Sequence, residues 1–217
     1  TYVGRQGLYF QYRHNAPLSR RIDPGTTNII DIYLVTQAYY IAYQNYVTDS
    51  TGTVPEPAQP TIDELTTSYS TLDQYKMISD NIILNSATFK PLFGTKAAVE
   101  LRATLKCVKN PSSTASVSEI KSQVVSSMNT YFTIENWDFG NTFFFSELSA
   151  YLHDQLGSII STVVLVPVDP LKSFGDLYEI RSQPNEIFVN SATVNDVEVI
   201  DALTSSQLRT ASNSGVV

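Results

Sequence analysis

The chain is 217 residues long, 42% apolar and only 16% charged, with a net charge of −7 and a pI near 4.7. That is too apolar for a disordered chain, and no apolar run reaches the ~18 residues of a membrane helix, so no membrane insertion is expected. The acidic balance argues against nucleic-acid binding, which requires a basic face.

From the N-terminus, Leu8 to His14 alternates and is aromatic-rich, which predicts a strand. Asp23-Pro24-Gly25 signals a turn, and the β-branched stretch Asn28 to Thr36 predicts a second, more buried strand. Tyr39, Tyr40, Tyr43 and Tyr46 then recur at helical spacing, as a core stripe or as a subunit contact. Asp49 to Pro60, with Pro55, Pro57 and Pro60, is the clearest break. Thr61-x-x-Glu64 has the form of a capping box ahead of Leu65 and Tyr69.

Ala97 to Val108 shows a period-two pattern. Val99, Leu101, Ala103, Leu105 and Cys107 form one side; Glu100, Arg102, Thr104 and Lys106 form a charged side expected to be wet. Ser116-x-x-Glu119 is a second capping box, followed by Ile120, Val124, Val125, Met128 and Phe132 on one helical face. The aromatic loop Glu135 to Gly140 leads to a third helix that carries Phe144, Phe145, Leu148, Tyr151, Leu152 and Leu156, with Gly157 suited to its end. Strands are expected at Ile159 to Val168, Tyr178 to Ile180, Glu186 to Val189 and Thr193 to Ile200, and the tail from Ser205 is small and polar.

The expected organisation is a β-rich region with a short Tyr-rich helix over 1–50, a linker over 51–60 and an α+β domain over 61–217. That domain holds a strand at 97–108, helices at 116–132 and 142–156, and strands across 159–200. The fold class is α+β, a mixed or mostly antiparallel sheet with helices packed on one face, plus a smaller N-terminal β-rich region. The chain opens Thr1-Tyr2-Val3-Gly4 and its first methionine is Met77, so a fragment of a longer protein is expected.

Catalytic signatures are missing from the sequence. It has no phosphate-wrapping glycine loop, no G-x-S-x-G elbow and no H-E-x-x-H pair. One cysteine excludes an intrachain disulfide framework, and Cys107 falls on the apolar side of its strand, as a small core residue does. His14 has no nucleophile beside it. His153 and Asp154 are helical neighbours that point about 100° apart, so they make no dyad by sequence alone. Glu135 and Asp138 flank Trp137 in an aromatic loop, an arrangement compatible with a sugar site or with a helix–helix connection plugged by the indole. Arg20-Arg21 fits an acidic partner or a local pair with Asp23. No cofactor, metal or enzymatic activity is expected.

Four stretches together carry a resemblance: YRHNAPLSRRIDPGTTNIIDIYLVTQAYY (12–40), LFGTKAAVELRATLKCVK (92–109), SEIKSQVVSSMNTYFTIENWDFGNTFFFSELSAYLHDQLG (118–157) and YEIRSQPNEIFVNSATVNDVEVI (178–200). The third holds an amphipathic helix, an aromatic loop with a glycine and a helix opening F-x-x-S-E-L, and Pro184-Asn185-Glu186-Ile187 follows downstream. In these features the chain resembles the C-terminal part of the baseplate wedge subunits of T-even-type contractile-tailed phages, relatives of the baseplate-J-like proteins.

The resemblance implies a non-enzymatic virion protein of the tail baseplate, assembled in the host cytoplasm. Such a subunit pairs with itself, contacts other wedge and hub proteins, and links wedges into a ring around the hub that rearranges on contraction. With 13 Tyr, 10 Phe, 24 Ser and 22 Thr, the composition suits a surface covered by partners. The candidate interface residues are Tyr39, Tyr40, Tyr43 and Tyr46, and the charged side Glu100, Arg102 and Lys106. The alternative is a carbohydrate- or receptor-binding tail component centred on Trp137.

Overall fold

A computed structural model describes residues 29–70, 81–168 and 178–200. The strand expected at Leu8 to His14, Arg20-Arg21, the Asp23 turn and the polar tail lie outside the described residues. In chain order the elements are β1 (Ile29–Leu34), α1 (Gln37–Thr48), α2 (Ile62–Ser68), β2 (Asn81–Ser86), β3 (Thr88–Leu92), β4 (Ala103–Lys109) and α3 (Val117–Tyr131). They continue as β5 (Thr142–Phe144), α4 (Phe145–Leu156), β6 (Ile160–Pro167), β7 (Glu179–Arg181), β8 (Glu186–Asn190) and β9 (Val197–Ile200). This is an α+β fold.

The described residues form two units, divided after residues 35, 58 and 87. Two of these divisions fall elsewhere, and one, after residue 58, falls in the composition break at 51–60. The Tyr-rich helix before it belongs with residue 88 onward, because Tyr39 and Tyr43 stack around Phe89 of β3 at 5.3 and 4.6 Å. The capped helix after it belongs with β1 and β2, because Leu65 packs with Leu34 and Leu84. The stretch 49–54 is an ordered turn. The Asp49 carboxylate accepts from the backbone N–H groups of Thr51 (2.8 Å) and Val54 (2.7 Å), and these bonds with the Thr51 hydroxyl hold its pKa far below the usual carboxylate range.

In the smaller unit, β1 and β2 run parallel in register from Ile29↔Asn81 to Leu34↔Ser86. α2 starts on a complete capping box: the Thr61 hydroxyl accepts from Glu64 N–H at 3.3 Å, and the Glu64 carboxylate accepts from Thr61 N–H at 2.8 Å.

In the larger unit β4 is the centre of a three-stranded sheet, antiparallel to β6 and parallel to β9. Period two places Ala103, Leu105 and Cys107 on one face, all fully buried. α4 packs on β6, and α3 packs on both β9 and α4, with Ile120, Val124, Met128, Leu148 and Leu152 fully buried. Each fully buried aliphatic side chain of this layer contributes about 1.5–3 kcal/mol. α3 spans the expected residues. The Ser116 hydroxyl accepts from Glu119 N–H (3.2 Å), while the Glu119 carboxylate takes the Gln123 amide (3.2 Å).

Three expected elements are shifted. The strand expected at Thr193 to Ile200 begins only at Val197, because 194–196 form a 3-10 turn. The strand expected at 97–108 begins only at Ala103, because 99–101 close a 3-10 turn through Leu101 N–H to Ala98 O (2.8 Å). The helix expected from 142 begins at Phe145, because Thr142–Phe144 instead pair antiparallel with β7.

β3 and β8 run parallel and meet a tight junction at their ends. Phe93, buried, sits in the left-handed region at φ 74, a conformation that costs a side-chain-bearing residue about 1–2 kcal/mol. Its backbone is held on both sides, by Phe93 N–H to Leu101 O (3.0 Å) and Ala103 N–H to Phe93 O (3.1 Å). Gly94 then lies directly on the Ser191 backbone, and its N–H donates to the Ser191 hydroxyl at 3.1 Å.

Candidate functional site

Helix α1 presents its tyrosines inward. Tyr39 and Tyr43 are 6% and 4% exposed, and burial together with the Glu56 charge raises the Tyr43 phenol above its ordinary range. Of the expected interface stripe, these two are core residues: the i, i+4 face that carries them is the one that meets Phe89. Tyr40 is half-buried, 5.9 Å from Phe89, and half-buried Tyr46 packs edge-on to Tyr43 and under the Lys96 ammonium at 4.3 Å. Ile41 is the large apolar residue that this helix exposes, at 51%.

The charged side expected on the Ala97–Val108 stretch does not form as one wet face. Glu100 is exposed within the 3-10 turn, outside the strand. Arg102 turns its Nε–H onto Ala97 O at 2.9 Å. Lys106 is only 9% exposed and its Nζ lies 3.1 Å from the Glu198 carboxylate on β9. The parallel register Lys106↔Glu198 places that pair side by side, which spacing along one strand does not reveal.

The groups weighed for chemistry separate. His14 lies outside the described residues. His153 is exposed, beside Ser149, Ser161 and Thr162 in a shallow depression of about 230 Å³, and Asp154 accepts from Gln155 Nε2 (3.1 Å). Cys107 is fully buried, and burial pushes its thiol up to about 12. Among the described residues no group of three His, Cys, Asp or Glu side chains is placed to hold a metal ion, and no helix is long and apolar enough to cross a membrane.

Trp137 is the plug of the α3–α4 connection. It stacks on Phe132 (5.4 Å, 14°), meets Phe188 edge-on (5.2 Å) and donates its indole N–H to Tyr131 O at the end of α3 (2.9 Å). Glu135 and Asp138 are exposed on the same loop.

One edge of the plug borders an open depression of about 390 Å³. Tyr131, Trp137 and Tyr151 wall it, with Tyr131 between the other two rings at 5.6 and 5.2 Å. Asn136, Asn141 and Thr142 also line it, and α4 contributes Glu147 four residues before Tyr151, on the same helix face. Burial and the Glu147 charge raise the Tyr131 phenol to about 12. The Glu147/Tyr151 spacing is visible in the sequence, but Tyr131 joins them only because α3 and α4 pack side by side.

No protein-family model matches this chain, and no curated protein matches it.

Proposed function

We propose that the chain is a structural subunit of a contractile-tail baseplate wedge, without enzymatic activity. It self-associates, contacts other wedge and hub proteins, and links wedges into the ring around the hub that rearranges on contraction. The observation that best supports this reading is the order of elements in the stretch that carries the resemblance. α3, a Trp-plugged loop, the short strand β5, α4 and β6 follow one another, and Pro184-Asn185-Glu186-Ile187 leads into β8. On α1, the residues left for a contact are Tyr40, Ile41 and Tyr46.

Sedimentation equilibrium tests the reading. A mass above the 24.1 kDa of one chain, weakened by Tyr40→Ala with Ile41→Ser, is expected. A single 24.1 kDa species at every concentration overturns self-association.

The depression beside Trp137 favours a second reading, a carbohydrate- or receptor-binding tail component. Of the carboxylates near the indole, Glu147 rather than Glu135 or Asp138 lines it. A saturable change in Trp137 fluorescence with oligosaccharides would select this reading.

A further inference from the structure

The depression at the α3–α4 connection is lined by three aromatic residues, neutral polar side chains and one carboxylate. Tyr131, Trp137 and Tyr151 line it. Tyr131 is the last residue of the 15-residue α3, whose final carbonyls accept from Trp137 Nε1 and Asn136 Nδ2, and Glu147 lies in the first turn of α4, whose helix end carries the opposite partial charge. The Glu147 carboxylate adds a full charge, and among the described residues it has neither an ion pair nor a hydrogen bond. No lysine, arginine or histidine lines the depression. Glu135 and Asp138 on the adjoining loop carry the same sign.

We propose that the Tyr131–Trp137–Tyr151 depression is a binding site for an organic cation, and that its occupant is an arginine side chain presented by a neighbouring protein chain. Aromatic side chains beside a carboxylate suit a guanidinium, which is drawn to the rings while the Glu147 carboxylate accepts from its N–H groups. Arginine fits better than lysine because its charge is spread over a plane and is less strongly hydrated. That the guanidinium belongs to a protein partner rests on the assembly reading; that the site takes a cation does not.

Trp137 is the chain's one tryptophan, so its indole N–H gives a single resolved signal at the site. The experiment titrates the full chain with N-acetyl-arginine amide and follows that signal by two-dimensional NMR. Three parallel titrations use N-acetyl-citrulline amide, the neutral isostere of arginine, maltose, and the arginine probe at high salt. A saturable shift with the arginine probe, weakened by salt and absent with citrulline, is expected. Glu147→Gln, at an exposed position, is expected to weaken binding roughly tenfold, and Tyr151→Leu to weaken it while the indole signal keeps its folded position. An equal response to citrulline, a response to maltose alone, no saturable shift, or unchanged binding in Glu147→Gln each overturns the site. Sedimentation of the same samples reads self-association separately, so loss of the cation site and loss of the assembly reading are distinguishable.

Discussion

Replacing Gly94 by alanine puts a methyl group where the structure has no room. A Cβ built there overlaps the carbonyl carbon and oxygen of Ser191 and stands 3.0 Å from Ala192 N, all of it backbone that no rotamer change can move aside. The φ of Gly94 is not positive, so the cost is steric rather than torsional. Relief requires the 190–192 segment to retreat, which breaks the Gly94 N–H to Ser191 Oγ bond (3.1 Å) and strains Ser191 N–H to Leu92 O (3.0 Å). Overpacking at about 1–3 kcal/mol and two weakened hydrogen bonds at about 0.5–1.5 kcal/mol each sum to about 2–6 kcal/mol. Gly52 in the same unit is the control: its φ is +71 but nothing lies within 4 Å of its Cβ position. There alanine bears only the left-handed penalty, partly offset by the stiffer unfolded chain, for a net cost of about 1 kcal/mol. Urea unfolding followed by Trp137 fluorescence reports on this unit. Gly94→Ala is expected to lower the midpoint several times more than Gly52→Ala, and to lower Tm by roughly 10 °C. Equal effects of the two substitutions would refute the β3–β8 junction as described.

Three further outcomes follow from buried polar groups. The Cys107 thiol, pushed up to about 12 in a fully buried position, should react with a thiol-specific chromogenic reagent only in denaturant, and rapid native labelling would contradict its placement in β4. Burial first, and then the Glu147 charge, raises the folded-state pKa of Tyr131 above its ordinary 10.0, to about 12. The folded state therefore holds that proton more tightly. Its contribution to stability is complete below about pH 10 and is lost as pH rises toward 12, so the urea midpoint should be level to about pH 9 and then fall as tyrosinate absorbance grows. Glu198→Gln strands the 9% exposed Lys106 without its carboxylate and should cost about 1–2 kcal/mol, more than Lys106→Met, which removes the charge altogether; the reverse order in chemical denaturation would count against the pair.

The sequence by itself determined whatever depends on near neighbours. The capping hydroxyls of Thr61 and Ser116 fix where α2 and α3 begin, because a cap is an i to i+3 contact. Ile120, Val124 and Met128 face inward because their spacing matches the helical repeat, and Ala103, Leu105 and Cys107 because theirs matches the pleat. Thr193 with Asp196 holds a further turn of the same kind at the start of β9 (2.8 Å), a polar pair that the β-branched content of 193–200 masks as strand. Only the tertiary structure decided the partners. Tyr39 and Tyr43 are core rather than interface because Phe89, far along the chain, supplies the ring they pack on. Lys106 is paired because β9 lies beside β4 in parallel register. The break at Asp49 to Pro60 looks like a domain boundary in composition, yet the chain crosses between its units at three places, because burial joins Leu65 to Leu34 and Leu84. The cationic site proposed at Tyr131 draws on α3, the Trp137 loop and α4 together. Local spacing specifies which face of an element is apolar, but which elements share that face depends on long-range burial that no window of the sequence contains.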